Sequence, residues 1–437
     1  MKHTGGSRSG EGDAPPALRA PPEVVRIARR LEEAGFSTWA VGGAVRDALA
    51  GEEPGDWDLT TAARPGEIRR LFRRTVPIGI EHGTVGVLGK DGWMYEVTTF
   101  RRDVETDGRH ARVVFADSVD EDLARRDFTI NAVAWHPLTH EVRDPHGGVS
   151  DLRKAILRTV GDPAERFRED RLRALRAIRF AGRFDLRIDP ATWEATRASA
   201  PDLHHLSAER VREELLKTLR QTARASEPLG LYRAAGVLDA LYPELAALEP
   251  HEWEATLATV DAVPQTRPLL RVAALLARAA GAAGQAQSAA AARGVLRRLR
   301  MSNADTDRVV HLVAHLGTLP PADASDADVR RWLRRVGRDF VADLLRLEIA
   351  AYRGREGPGA DLVARLRRGR GMLRTRPPLA VADLAIGGRE LRALGIAPGP
   401  RYGAILDALL ERVLDAPEEN TPERLLARVE ELLAEDV

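Results

Sequence analysis

The stretch "GGAVRDALAGEEPGDWDLTT", residues 42–61, places a glycine pair ahead of a short segment and then sets Asp56 and Asp58 one residue apart. Aspartate disfavours strands, and two like charges so close repel, so the pair asks for a cation. Residues i and i+2 of a strand share a face. Read as a strand, "DWDLT" (56–60) makes the two carboxylates converge and turns Trp57 the other way. Converging carboxylates suit Mg²⁺, a hard cation that takes few protein oxygens and keeps waters for phosphates. Gly42-Gly43 before a short helix (44–50) lets backbone N–H groups approach a phosphate. Arg46, one turn in, can add a charge-assisted bond to the same triphosphate. The combination points to two-metal nucleotidyl transfer, in which one ion activates a hydroxyl and the other neutralises pyrophosphate. Such sites want a third carboxylate on a neighbouring strand, and Glu96 in "YEVTTF" (95–100) is the candidate. A D-x-D alone is more often a surface turn; Gly-Gly, Arg46 and Glu96 in order give it chemical meaning.

Outward from this stretch, residues 21–152 mix strands and helices. Helical periodicity runs over 23–35 and stops at Gly35. Strands are expected at 37–41, 84–88 and 93–100, the last two joined by "GKDG", a hairpin signal. "PGEIRRLF" reads as a helix. Beyond 153 strand signals nearly vanish. "DPAERFREDRLRALRAIRFAGRF" (162–184) reads as one long amphipathic helix with Pro163 near its start. Asp189 and Ser207 are N-cap candidates. Helices are expected at 226–245, 251–262, 267–281, 288–299, 304–317, 326–350, 360–373 and within 388–437, with a flexible insert near "GAAGQAQS" (281–288). The fold class is therefore α+β: a small mixed-sheet head (21–152) on an elongated all-α neck (153–222), body (223–375) and tail (376–437), after a disordered segment over 1–20.

Composition narrows the field. The 437 residues allow several domains, and the net charge of +1 gives no global sign of nucleic-acid binding, though local basic surface is compatible with it. There is no cysteine, hence no disulfide framework or thiolate metal site. No apolar run approaches the ~18–20 residues of a membrane span, and the first residues lack the apolar core of a signal peptide. Cytoplasmic location is the expectation. His311 and His315 share helical i, i+4 spacing, as zinc ligands can, but with apolar residues between them and no third ligand they read as packing residues.

Asp170, Arg173, Arg176 and Arg179 recur every third residue. On an ideal helix each step turns ~60° backwards, so they form a slanted ridge. Cytosine and adenine both offer an exocyclic amine beside a ring-nitrogen acceptor. An Asp accepts from the first and an Arg donates to the second, whereas uracil and guanine repel both, so an Asp/Arg pair can admit C and A without a template. A solvated charged helix face is the plain alternative for such a composition.

The order of motifs settles which reading to follow. "VGGAVRDALAGEEPGDWDLTT" (41–61), "EHGTVGV" (81–87), "EVTTFRRD" (96–103), "DEDLARRDFTINA" (120–132), "REDRLRALRAIRFAGRFDLRID" (168–189), "LSAERVREELLKTL" (206–219) and "LGIAPGPRYGAILDALLERVLD" (394–415) resemble, collinearly, the motifs of bacterial class II tRNA nucleotidyltransferases and their poly(A) polymerase relatives. The resemblance implies a polymerase-β-like head and template-independent building or repair of the tRNA 3′-terminal CCA from CTP and ATP with Mg²⁺. It implies metal ligation by Asp56 and Asp58. It implies nucleotide contacts from Gly43, Arg46, Arg126, Asp170, Arg173, Arg176 and Arg179. tRNA is the implied partner, with the body and tail binding it through phosphates and shape, and no obligatory protein partner is evident. The segment "DVETDGRHARVVF" (103–115) matches a family loop that helps switch the site from C to A. Here it is shortened, with Ala111 where Pro is usual, and Asp107-Gly108-Arg109 is retained. CC-only or A-only addition and poly(A) synthesis are the enzymatic alternatives. A non-catalytic tRNA-binding protein is the other, and would be expected to lose the D-x-D.

Overall fold

The computed structural model describes residues 18–106, 111–353 and 360–435. They form two compact units. One comprises residues up to Glu214 together with Leu231–Leu241; the other comprises Leu215–Gly230 and the chain from Tyr242 onward. The head and most of the neck thus share a unit.

In the first unit the chain runs α1 (Pro22–Glu32), β1 (Thr38–Val41), α2 (Gly43–Leu49), β2 (Asp58–Thr61), α3 (Pro65–Leu71), β3 (Thr75–Gly79), β4 (Thr84–Leu88), β5 (Met94–Thr99), β6 (Arg101–Thr106), β7 (Ala111–Phe115), α4 (Val119–Ala124), β8 (Ala134–Trp135), β9 (Val142–Arg143), α5 (Gly148–Arg153) and β10 (Ile156–Leu157). There follow α6 (Pro163–Glu169), α7 (Leu172–Phe184), β11 (Arg187–Ile188), α8 (Pro190–Ser199), α9 (Ala208–Gln221), α10 (Ser226–Ala234) and α11 (Val237–Leu241). Helices α9 and α10 run across the unit boundary.

Seven strands form one mixed sheet in the order β3-β4-β5-β2-β1-β8-β9. Only β2 and β5 run parallel within it. One face is built from the alternate residues Leu59, Val85, Val87, Tyr95 and Val97, which pack with Val24, Ile27 and Leu31 from one stripe of α1. That is the 3.6-residue spacing of an amphipathic helix meeting the two-residue spacing of strands. The other face is covered over β1 by a second cluster in which Trp39 and Val41 meet Phe100, Val119, Leu123 and Ala134. Strand β1 is therefore buried on both faces, as its run "TWAV" requires.

The expected single helix over 162–184 is two. Asp162 caps α6 by accepting from Glu165 N, and α6 ends where Asp170 goes extended (φ −150°, ψ 104°). Asp170 Oδ1 then accepts from Leu172 N at 3.0 Å and starts α7. Aspartate competes for nearby backbone donors and so favours helix ends over interiors. Asp189 caps α8 as expected.

The second unit is helical: α12 (Pro243–Ala246), α13 (Pro250–Asp261), α14 (Pro268–Leu276), α15 (Gln285–Arg298), α16 (Asn303–His315), α17 (Asp326–Val336), α18 (Arg338–Arg353), α19 (Ala360–Arg374), α20 (Gly388–Ala393), α21 (Pro400–Asp415) and α22 (Pro422–Glu435). Two expected helices are interrupted: 226–245 past α10 and again before Pro243, and 326–350 at Gly337, whose φ of 83° is a left-handed helix stop. The expected flexible insert is instead a tight turn, 281–283, after which "QAQS" opens α15 with Ser288 buried. His311 Nε2 lies 2.7 Å from Val336 O, and His315 Nδ1 lies 2.9 Å from His311 O. His311 thus packs between helices, against Phe340 as well, while His315 is held by its own helix. Arg271, 1% exposed, donates to four carbonyls, those of Leu219, Thr222, Ala223 and Val263, at 2.7–2.9 Å. It closes the carbonyl end of α9, which no helix can satisfy internally.

Candidate active site

Asp58 opens β2, and β1 ends opposite it, Val41 pairing with Asp58. The chain leaves β1 through Gly42, whose φ of 78° turns it into α2. A Cβ on Gly42 would sit 3.3 Å from Arg126 Nη1 and 3.7 Å from Asp58 Oδ2, so the turn passes close to both that cation and that carboxylate, and its positive φ favours glycine. Because β1 turns away here, Asp56 has no ladder partner on that side. It lies just before the strand and is exposed, not within the strand as the sequence suggests. Trp57 does point away, buried beside Trp135 with ring centres 5.8 Å apart.

Glu96 lies on β5 next to β2, one residue before the Leu59–Val97 pair, and is exposed. Burial, then the charges of Glu96 and Asp56, push the Asp58 carboxyl up to about 6, against the pull of Arg126. The three carboxylates are thus electrostatic neighbours, with Arg126 as a counter-charge acting on Asp58. Among the described residues no group of three His, Asp or Glu side chains is placed to hold a metal ion by itself.

Arg126 Nη2 donates to Asp122 (3.1 Å) and Nη1 to Asn131 O (3.3 Å), while its buried Nε finds no partner among the described residues. The turn that follows, Thr129–Asn131, is fixed by α5. Thr129 Oγ1 donates to Asp151 at 2.8 Å, and a Cβ on Gly148 would lie 2.0 Å from Thr129 O, which only glycine avoids. That turn presents Asn131 to two sides. Its Oδ1 accepts from Arg46 Nη1 at 2.6 Å and its Nδ2 donates to Asp127 Oδ1 at 3.0 Å. Asp127 also accepts from Phe128 N (2.9 Å) and, at Oδ2, from Arg176 Nε and Nη2 (2.8 and 2.6 Å). Burial works against the Asp127 charge, but Arg176 and these hydrogen bonds outweigh it and hold the carboxyl at about 2.

The nucleotide residues suggested by the sequence all gather around α2, the Arg126 turn and α7, with different freedom. Gly43 opens α2, and Arg46 Nη2 lies 3.7 Å from where a Cβ on Gly43 would be. Arg46 is 4% exposed and holds Asp47 Oδ1 through Nε and Nη2 at 2.9 and 2.6 Å. Arg179, also 4% exposed, donates to Glu214 at 2.6 Å. Any contact of Arg46 or Arg179 with a triphosphate comes at the expense of these buried pairs. Asp170 Oδ2 accepts from Arg210 at 2.7 Å; Arg173 donates to Glu169 and to the Arg125 and Arg166 carbonyls. Asp170 stands at the head of α7, so the ridge on the helix is Arg173, Arg176 and Arg179.

Several partners escaped the sequence reading: Asp47, Asn131, Phe180, Phe184, Arg183 and Glu214. Arg46, Arg176 and Arg179 lie 4.3–5.2 Å from the Phe180 ring centre, and Arg46 and Arg183 each lie 4.5 Å from that of Phe184. Two phenylalanines at i, i+4 on a helix this rich in arginine were the available signal.

The Asp127 carboxyl gives a pH test. Its folded pKa lies below the unfolded value, so its contribution is full above about pH 4 and is lost as pH falls towards 2. The shift is worth about 2 kcal/mol. Asp127→Asn should therefore destabilise the protein in urea at pH 6, and the gap from wild type should close progressively between pH 4 and 2. A gap independent of pH would place the carboxylate's stabilisation elsewhere.

The comparisons with known proteins agree along the chain. Residues 38–158 match the poly A polymerase head domain, 185–248 an RNA and SrmB-binding site of polymerase A, and 283–429 the tRNA nucleotidyltransferase domain 2. The chain is 34% identical over 408 residues to the CCA-adding enzyme of Geobacillus stearothermophilus, covering 93% of this chain and 95% of that one. It is 35% identical over 410 residues to that of Geobacillus thermodenitrificans, with the same coverage. Among solved structures, the Bacillus stearothermophilus CCA-adding enzyme in complex with CTP superposes with a TM-score of 0.73 at 30% identity, over 95% of this chain and 99% of that one. The Thermotoga maritima CCA-adding enzyme complexed with tRNA shares the fold, with a TM-score of 0.61 at 21% identity over 95% and 97%. With relatives of this identity matched over nearly their whole length, around a head whose sheet carries the D-x-D, the chain belongs to the CCA-adding enzymes, a family of tRNA nucleotidyltransferases.

Proposed function

We propose that this protein adds or repairs the 3′-terminal CCA of tRNA, taking CTP and ATP in turn without a nucleic-acid template. The observation that carries the reading is the Asp58 carboxylate. It is raised to about 6 by burial and by Glu96 and Asp56, and sits beside a backbone gap at Gly42 with Arg126 on the far side. Relatives named as CCA-adding enzymes, one of them solved with CTP, support it.

The donor set fits a divalent cation. The oxygens are hard, anionic and mutually repelling, and a cation relieves the charge that raises Asp58. Asp56 and Asp58 would hold Mg²⁺, with Glu96 as the third carboxylate of the site. An ion held by these residues would supply positive charge to the triphosphate and would make the attacking hydroxyl more acidic. Arg126 and the backbone at Gly43 face the nucleotide. Asp170 and Arg173 read the base by the amine-and-acceptor logic that C and A share. Their present partners, Arg210 and Glu169, are side chains that can exchange for a base. Arg176 is fixed by Asp127. Arg46 and Arg179 contribute from below by holding α2 and α9 against α7. The loop residues Asp107-Gly108-Arg109, to which the C-to-A switch is assigned, lie outside the described residues. Among the described residues no helix is long and apolar enough to cross a membrane.

Transcripts of tRNA ending before C, after C and after CC, incubated with each NTP and resolved on a sequencing gel, test the activity. Wild type should add C, C and then A, and nothing from UTP or GTP. A stop at CC, or a run of A, would assign one of the alternatives. Asp58→Ala should lower incorporation by on the order of 10³ while tRNA binding in a filter assay stays near wild type. A near-normal rate would remove the metal role. Asp170→Ala should narrow the preference for CTP over UTP by about 1–3 kcal/mol, read as the ratio of kcat/KM values. An unchanged ratio would move base reading elsewhere.

A further inference from the structure

The face of the sheet that carries the carboxylates also carries an exposed apolar strip. On β5, Tyr95 and Val97 enter the core, so Met94 and Glu96 point to the opposite face. Asp58 points there too, because Leu59, next to it on β2, enters the core beside Val97. On β4, Gly86 lies directly opposite Glu96 on one side and Val76 on the other. A Cβ on Gly86 would fall 2.6 Å from Ile78 Cδ1 and 2.8 Å from Met94 Sδ, so those two side chains meet over it. Val76, Ile78 and Met94 are 44%, 41% and 48% exposed. The rest of this face, over β1, is closed by Trp39, Val41 and their partners.

The proposed function assigns the nucleotide to one side of Asp58. Gly42 and Arg126 flank Asp58 on its β1 side, and the nucleotide-reading helix joins them through Arg176 and Asp127. In-line displacement needs the attacking oxygen opposite the leaving one. With the nucleotide on the β1 side, the RNA 3′ hydroxyl must reach Asp58 and Glu96 from the β5 side, across Met94 and Ile78. On the reading proposed above, we infer that Ile78 and Met94, meeting over Gly86, form an apolar ledge that seats the last base of the RNA 3′ end. The ledge offers no hydrogen-bond donor and only the weakly accepting Met94 thioether, so it takes any base. Methionine's flexible, polarisable side chain adapts to each. That suits an end whose last base changes at every addition, while selection stays with the incoming nucleotide.

The test uses the full-length protein and a fluorescently labelled acceptor-stem minihelix ending before the first C. A second minihelix lacks the base of its last nucleotide. Binding is read by anisotropy, and single-turnover incorporation from CTP runs in parallel. Wild type should bind the abasic minihelix about tenfold more weakly, the scale of one stacked base, whichever base the intact end carries. The Ile78→Ser/Met94→Ser variant should bind the intact minihelix about tenfold more weakly and lose nothing further on the abasic one, with KM for CTP unchanged. Met94→Ser alone, at an exposed position, should show the same trend, so early melting of the double variant would not hide the answer. Equal loss on base removal in wild type and variant overturns the ledge while leaving the proposed function standing. So does a variant that binds normally but changes oligomeric state in light scattering. A wild type that neither binds nor extends the intact minihelix overturns both.

Discussion

One buried carboxylate organises the catalytic unit. Asp127 sits in the turn that follows Arg126 and accepts from Arg176, Asn131 and Phe128 N. A charge removed from water is tolerated only when paired and fully hydrogen-bonded. Satisfying Asp127 therefore dictates where α7 must lie. The chain of contacts continues through Asn131 to Arg46, from Arg46 to Asp47, and from Asp47 Oδ2 back to Arg183 on α7 at 3.1 Å. The loop of interactions closes on the helix it started from, with Phe180 and Phe184 packed inside it. The glycine turn at the D-x-D and the base-reading ridge are thus parts of one clamp.

The clamp separates two electrostatic environments. On one side the carboxylates of Asp56, Asp58 and Glu96 lie close together, and burial, then the Glu96 charge, makes Asp58 resist ionisation against the pull of Arg126. On the other, every arginine of the α7 ridge is matched to an acid or a carbonyl. A few arginines are buried in the fold, Arg46, Arg179, Arg271 and Arg330 among them, and in the second unit some close helix ends. Arg330 donates to the Leu414 and Asp415 carbonyls at the end of α21, as Arg271 does for α9, and Arg365 donates to the Leu319 and Pro320 carbonyls in the connection between α16 and α17. A planar guanidinium with five donors suits carbonyl clusters better than lysine would.

The head was legible because its signals are local and periodic. Alternation placed β4 and β5, the glycine pair placed α2, and the aspartate spacing pointed to Asp58 with Glu96 beside it. Some misses are tertiary and some are local. Asp56 left the strand because its neighbour β1 turns away at Gly42, a tertiary fact. Helix 162–184 broke at Asp170 because an aspartate side chain found a backbone donor, and 326–350 broke at a glycine that adopts positive φ. Arg46 and Arg179 are buried because Asp47, Asn131 and Glu214, distant in sequence or overlooked beside a motif, are acceptors for them. Spacing finds which residues share a face; it does not find what lies across from that face.

The central claim is that Arg46 and Arg176, which share no direct hydrogen bond, are coupled through Asn131, Asp127 and the Phe180 ring. A double-mutant cycle measures it: unfolding free energies in urea at pH 7 for wild type, Arg46→Met, Arg176→Met and the double variant. The account predicts non-additivity well beyond the ~0.5 kcal/mol expected of independent sites, with the second substitution costing less once the first is made. Additive losses within that margin would mean that α2 and α7 are held separately, and the clamp would not exist.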